Sequence, residues 1–262
     1  MIGDPSRFEV RLARDASEIT SAQRLRYRVF VEEMGASAGE ADHGKRLELD
    51  TFDTYFDHLI LLDHELQVDD PLDRVIGAYR LMQKDVALSG PGFYGADEYD
   101  LSKLSDSPRA MVELGRSCVD QQYRGGAAMV LLWNGLAQYV LSRDIEVMFG
   151  VASFHGTDPQ AIAQALSFLH ENHLAPDDLR VKAHPGSFQR MDLLEPDQID
   201  RKAALKQIPA LIKAYLRLGG FVGEGAFIDN NFNTIDICLL VDVARMSDRH
   251  RSYYQRNHGA KD

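Results

Sequence analysis

Residues 111–132 read MVELGRSCVDQQYRGGAAMVLL, and two charges, Glu113 and Arg116, stand inside a run with the apolar character of a buried strand. Side chains alternate faces along a strand, so Val112 and Leu114 share one face while Glu113 and Gly115 share the other. Glu113 can then line a cleft while its neighbours fill the core. A carboxylate so placed can take a proton from an attacking nucleophile, or serve as the partner of Arg116 in a structural ion pair. Arg116 falls on the apolar face unless the strand is irregular. Gly115 is where a bulge is expected, and it would turn Arg116 toward the side of Glu113. A bulge would also free a backbone N–H for an oxyanion, a donor whose loss typically costs about a hundred- to a thousandfold in rate. Just beyond, Gln122, Gly125, Gly126 and Ala127 lead into an apolar helix. Helix-start N–H groups and the positive dipole end favour phosphate, although a plain strand-to-helix connection would read the same way.

These residues need a scaffold, and periodicity supplies one. RFEVRLA alternates as a strand, and Asp15 with Glu18 forms a capping-box pattern before Ile19, Ala22, Leu25 and Val29 at helical spacing. Residues 35–54 lack any period and read as a long loop, more often functional than idle in a compact domain. YFDHLILLDH and RVIGAYRLM read as strands, and residues 84–104 form a second long loop marked by Gly90, Pro91, Gly92 and Gly95. A helix from about Gly126 to Ser142, a strand in EVMFGVASF and a helix opened by Asp158 and Pro159 follow. Residues 175–201 carry little signal. PALIKAYLRLGG is a helix closed by Gly219 or Gly220, and AFIDNN and TIDICLLVDV are strands. The fold class expected is α/β (α+β), a mixed sheet flanked by helices, in one domain over 1–262 with a core of about 8–245 and a basic tail at 246–262.

Composition narrows the chemistry. The chain has 262 residues, 45% of them hydrophobic, enough to bury a full core, and a formal net charge of -11. That charge argues against nonspecific nucleic-acid binding. Cys118 and Cys238 sit singly in apolar runs, which predicts reduced core thiols in a cytoplasmic setting rather than a disulfide framework or zinc site. No secretory signal is visible, and the stretch AAMVLLWNGLAQYVL is too short for a span.

Gln122, Gly125 and Ala127 match the Q/R-x-x-G-x-G/A loop of the GCN5-related N-acetyltransferase superfamily, which holds the pyrophosphate or phosphopantetheine of an acyl donor. The stretch from 111 and EVMFGVASF resemble the fourth strand, following helix and fifth strand of that fold, whose sheet is mostly antiparallel. Three more patterns sharpen the resemblance: Arg26 with Phe30 on one helical face, Asp50 with Asp53 as D-x-x-D, and Glu113 with Arg116 as E-x-x-R. Together they are similar to the acyl-homoserine lactone synthases and to the bacterial L-ornithine Nα-acyltransferases of ornithine-lipid synthesis. LRYRVFVEEMGA and the C-terminal helix and strand extension PALIKAYLRLGGFVGEGAFIDNNFNTIDICLLV resemble the ornithine branch.

That resemblance implies transfer of a 3-hydroxyacyl chain from acyl carrier protein to the α-amine of L-ornithine, with no tightly bound cofactor and the carrier's 4'-phosphopantetheine as donor arm. It implies Glu113 as general base with Arg116 beside it, and Gln122, Gly125, Gly126 and Ala127 at the donor arm. Arg26, Arg80 and Arg116 are candidates for the acceptor carboxylate, Arg80 the weakest because its strand can point it into solvent. Asp50 and Asp53 could meet a distal ammonium or simply make turn hydrogen bonds. A metal at D-x-x-D is not expected, since no further ligands stand at site spacing. The carrier is acidic, so basic docking charge is required. Arg201, Lys202, Lys206, Lys213 and Arg217 form one basic cluster and ARMSDRHRSYYQR a second, either able to meet the carrier or the inner-membrane surface; solvated helix faces explain both equally.

Other readings differ in kind. H-x-x-x-x-D, the signature of glycerolipid acyltransferases, occurs at His58, His64 and His173, but such short patterns recur by chance and a strand points His58 and Asp63 to opposite faces. A lactone synthase would use S-adenosylmethionine, glutamine could replace ornithine, and a carrier-binding module would keep the fold without turnover.

Overall fold

Alternation at Phe8, Val10 and Leu12 becomes strand β1 (Phe8–Leu12), the first element of a computed structural model that describes residues 7–36 and 41–245. Helix α1 (Ala16–Arg26) follows, with the Asp15 carboxylate accepting from the Glu18 N–H at 3.0 Å. The chain continues from Tyr27 to Glu33 in wider π-type turns. Strands β2 (Asp57–Asp63), β3 (Val75–Gln83) and β4 (Met111–Val119) come next, then helix α2 (Ala128–Ser142) and strand β5 (Val147–His155). Helices α3 (Ala163–His173), α4 (Arg201–Gln207) and α5 (Ala210–Arg217) precede strands β6 (Ala226–Asp229) and β7 (Thr234–Asp242). The fold is the expected mixed, mostly antiparallel sheet flanked by helices, with its C-terminal helix and strand extension.

The chain forms two compact units, one of residues 1–83 and 114–144, the other of 84–113 and 145–262. In the first, β1 pairs antiparallel with β2 (Phe8 opposite Asp63) and β2 with β3, and β4 is the next strand after β3 in the sheet order. Helix α1 buries Ala22 and Leu25 against Ile60, Val75, Ala78 and Cys118. Helix α2 covers the opposite face and comes in close because two glycines let it. A Cβ on Gly77 would stand 2.7 Å from Leu132 Cδ1, and one on Gly135 would collide with Val10 Cγ1 and approach Leu59 Cδ1 to 3.3 Å. Helix propensity alone would favour Gly135→Ala by about 1 kcal/mol. The collision outweighs it, since a methyl forced into a filled core costs about 1–3 kcal/mol. Gly135→Ala is therefore expected to lower the melting temperature, as read by thermal denaturation.

In the second unit, Met111–Glu113 of β4 runs parallel to Val147–Phe149 of β5, and the register ends at Glu113 opposite Phe149. Strand β5 pairs antiparallel with β7 from Val147–Asp242 to His155–Thr234, and β7 with β6. The stretch expected as one long loop at 84–104 is instead a series of short turns, with helical pieces at Lys84–Ser89 and Ser102–Asp106 and a 3-10 turn at Tyr94–Asp97. Its three glycines and Pro91 forbid a long helix but not single turns. Helix α4 arises where the sequence showed only a basic cluster, capped by Asp200.

Both cysteines are buried and free, and burial pushes the Cys118 thiol up to about 12. Among the described residues no helix is long and apolar enough to cross a membrane. The basic tail at 246–262 lies outside the described residues.

Candidate functional site

The backbone irregularity within strand β4 falls at Arg116, not Gly115. Arg116 has φ of 49°, in the left-handed region, while Gly115 stays outside that region. The irregularity expected at the glycine thus falls on the arginine itself. A non-glycine residue there carries strain that its surroundings must offset, and such strain gathers at functional sites. What offsets it is charge: Arg116 Nε donates to Glu48 Oε1 at 2.9 Å, and its Nη2 lies 3.6 Å from Asp50 Oδ2.

Arg116 belongs to a network of three arginines and three carboxylates in the first unit. Arg26, fully buried on α1, donates to Glu48 and, at 2.6 and 3.3 Å, to the two oxygens of Asp53. Arg80 on β3 donates to Asp50 at 2.7 Å and to Asp53 at 2.8 Å, with its guanidinium 4.5 Å over the Phe56 ring. It is 1% exposed, so it does not point into solvent as the strand pattern allowed. Buried charge is tolerated here because each guanidinium meets carboxylates in short, charge-assisted bonds. Burial alone would raise the Asp53 carboxyl, but the charges and hydrogen bonds of Arg26 and Arg80 hold it well below the usual carboxylate range. Glu48 is likewise lowered against its burial, by Arg26 and Arg116.

The same aspartates shape their own loop. Asp50 caps a 3-10 turn at Thr51–Thr54, accepting from the Phe52 N–H at 3.0 Å, and Asp53 also accepts from Gln23 Nε2 at 2.8 Å. Both oxygens of Asp53 are engaged within the chain. Phe30 packs against the apolar cluster under α1. Arg116 is the most exposed of the three arginines, at 14% of its side chain against 0% and 1% for Arg26 and Arg80.

Glu113 lies in the second unit and is 2% exposed. Its Oε2 accepts from the Tyr94 N–H at 2.8 Å and its Oε1 from the Gly95 N–H at 2.7 Å. A Cβ on Gly95 would stand 3.1 Å from Glu113 Oε1, a tight contact that any larger residue would bring. The glycine-marked turn and the acid therefore hold each other in place.

The loop after β4 is held by its own contacts and turns through a left-handed glycine. Asp120 accepts from the Gln122 N–H at 3.1 Å, Arg124 anchors to the Val119 carbonyl and to Glu33, and Gly125 has φ of 76° with nothing within 4 Å of where a Cβ would be. Ala127 caps α2 without a side-chain hydrogen bond. The first N–H groups of any helix have no partner within the helix itself.

The glycerolipid pattern dissolves in the structure. His58 Nε2 bonds the Asp53 carbonyl at 2.9 Å, while Asp63 accepts from Arg7 and, at 2.7 Å, from the Tyr123 hydroxyl.

The model of the acetyltransferase (GNAT) domain family matches residues 25–134. A protein of Rhodobacter capsulatus named L-ornithine N(alpha)-acyltransferase is 56% identical over 256 residues, covering 98% of this chain and 98% of that protein. A Brucella abortus protein of the same name is 45% identical, covering 97% and 91%. The chain belongs to the L-ornithine Nα-acyltransferase family. Among solved structures, an N-acyl amino acid synthase from uncultured soil microbes superposes with a TM-score of 0.50 over 91% of this chain and 92% of that one, at 12% identity, and shows the shared fold alone.

In this member of the ornithine acyltransferase family, Glu48 is a network residue that the sequence did not disclose. It sits in a short hairpin strand, Leu47–Glu48, within the unperiodic loop, and only its charge could have marked it. The amides of Tyr94 and Gly95 were equally hidden, because a backbone donor leaves no residue-type signature.

Proposed function

We propose that the chain transfers a 3-hydroxyacyl group from acyl carrier protein to the α-amine of L-ornithine, giving lyso-ornithine lipid, the first step of ornithine-lipid synthesis. The observation that carries this reading is the 56% identity, over 98% of the chain, to a protein named for that acceptor and that nitrogen. Each unit is consistent with it taken by itself: the first has a glycine loop leading into helix α2 and a braced arginine cluster, and the second has the buried acid Glu113.

In the reaction, the ornithine ammonium gives a proton to Glu113, directly or through one water, and the freed amine attacks the thioester carbon. A C–N bond forms, and collapse of the tetrahedral oxyanion breaks the C–S bond. The departing thiolate takes up the second proton shed by the nitrogen as the amide forms, leaving holo carrier, and Glu113 returns its proton to solvent. Arg116 is the arginine to meet the acceptor carboxylate, since Arg26 and Arg80 are consumed in holding Glu48, Asp50 and Asp53. Gln122, Gly125, Gly126 and Ala127 hold the phosphate of the 4'-phosphopantetheine arm. Exposed Arg201, Lys202, Lys206 and Arg217 on α4 and α5 offer positive charge to the acidic carrier, or to anionic lipid once product forms.

Purified protein is incubated with 3-hydroxyacyl carrier protein and, in separate tubes, ornithine, lysine, glutamine and S-adenosylmethionine, and free thiol is followed. Release with ornithine is expected. Release only with S-adenosylmethionine would move the chain's activity to lactone synthesis, release only with glutamine would change the acceptor, and none with any acceptor would leave a carrier-binding module. Gly125→Ala tests the donor loop. At φ of 76° an alanine is strained by about 1–2 kcal/mol, so the KM for the acyl carrier is expected to rise up to about thirtyfold while that for ornithine holds.

A further inference from the structure

From Arg201 to Gly223 the chain carries Arg201, Lys202, Lys206, Lys213 and Arg217 and no Asp or Glu, against a formal net charge of -11 for the whole. Helices α4 and α5 of the second unit decide where these charges go. Ala204 and, just past the helix end, Ile208 bury one side of α4, while Arg201, Lys202, Leu205 and Lys206 share an exposed side at helical spacing. On α5, Ile212 and Tyr215 are buried, Arg217 is exposed and Lys213, one turn before it, is half-buried. The Lys213 ammonium donates to the Leu205 carbonyl at 3.1 Å, which ties α5 to α4.

Elsewhere the chain sets its arginines against carboxylates, as in Arg11 with Glu18, Arg24 with Asp70 and Arg124 with Glu33. Among the described residues none of the cations from Arg201 to Arg217 forms an ion pair. Asp200, the acid next to them in the sequence, gives its carboxylate to the start of α4, accepting from the Lys202 and Ala203 N–H groups at 2.8 and 3.3 Å. Between the cations stands Leu205, 36% exposed. Cations spread around a protruding apolar side chain suit a surface that is anionic at its rim and apolar beneath. Lysine suits it too, since its ammonium is a point charge that follows a diffuse field, whereas a guanidinium fork matches one particular carboxylate.

We propose that the exposed face of α4, with Arg217 of α5, docks the chain on the anionic phospholipid surface of a bilayer. The choice of a bilayer over an acidic protein rests on the acyltransferase reading, whose product is a single-chain lipid amide that has to pass from the protein into lipid. Leu205 points the same way, because lipid offers an exposed leucine an apolar layer at any position along the surface, while a protein partner must supply a matching pocket.

Flotation of the full chain with vesicles tests this, in low-salt buffer containing EDTA so that no divalent cation bridges like charges. One set of vesicles is phosphatidylcholine alone, the other equal parts of phosphatidylcholine and phosphatidylglycerol. A chain of net charge -11 is repelled as a whole by an anionic vesicle, so binding to one requires a local basic face. The wild type is expected to bind the anionic vesicles, to leave them as salt is raised, and not to bind the neutral ones. Each Lys or Arg at an anionic surface contributes about fivefold in partition, so Lys202→Gln combined with Lys206→Gln should lower it about thirtyfold. Leu205→Ser should lower it about fivefold, as lost burial of part of a leucine does. These side chains are exposed, so the melting curve should stay that of the wild type, and Lys103→Gln, exposed but outside the segment, should leave partition unchanged. No binding to anionic vesicles, equal binding to both compositions, or binding that the double variant retains would overturn the assignment. Retained binding would move it to the basic tail at 246–262. Capture of the chain by immobilised acyl carrier protein without vesicle binding would give the face to the carrier instead. Vesicle binding without acyl transfer to ornithine would remove the acyltransferase reading and leave the lipid face standing, and turnover without vesicle binding would do the reverse.

Discussion

Replacing Glu113 by glutamine is expected to lower kcat for acyl transfer by about a hundredfold or more, the usual contribution of a positioned base. The substitution keeps shape and one acceptor oxygen, so one of the two amides at Tyr94 and Gly95 stays bonded while the other faces an NH2 group. One lost bond to a charged acceptor costs about 1.5–3 kcal/mol, a melting shift that a domain of this size should survive. The pH–rate profile separates chemistry from folding. If Glu113 takes the proton, the acidic limb of kcat disappears in the variant, whereas a purely structural acid would leave the profile's shape intact. Near-normal turnover with a native melting curve would exclude Glu113 as the base.

The second large effect belongs to Asp53. Asp53→Asn leaves Arg26 and Arg80 short of a buried counter-charge, and breaking one side of such a pair costs about 3–5 kcal/mol. The effect has a pH signature. The folded carboxyl is held below its unfolded value of roughly 3.9, so its stabilisation is fully present above that value and is lost as pH falls from there toward the lower folded value. Denaturant titrations should therefore show the wild type ahead of the variant by a constant margin above about pH 5, with the margin narrowing below about pH 4. A margin independent of pH down to strong acid would contradict the ion-pair role. Kinetic damage should follow the damage to folding, because Asp53 acts through the arginines it positions.

How much of the fold and site is legible in the sequence depends on how each part is encoded. A period-2 pattern carries β1 and a period-3.6 pattern carries α1, while β7, buried along its whole length, is marked by its run of apolar residues instead. The pairing of Arg26 with Asp53 is only half visible. Motif spacing marks both residues, but with substrate as their partner, because sequence shows which charges exist and not which meet across 27 residues. Glu48 gives no sign. The tolerance of glycine points the strand irregularity to Gly115, whereas the structure uses charge to hold Arg116 in the left-handed region instead. The basic run at 201–217 is half visible too. The absence of acids within it shows in the sequence, whereas the absence of an ion-pair partner from elsewhere among the described residues shows only in the fold.

The most direct measurement is the mass and fragmentation of the product formed from purified protein, 3-hydroxyacyl carrier protein and L-ornithine. Aminolysis of the thioester by the α-amine predicts one amide per thiol released, with the acyl group on the α-nitrogen and the δ-amine free. An amide on the δ-nitrogen, or thiol release without any ornithine amide, would contradict it.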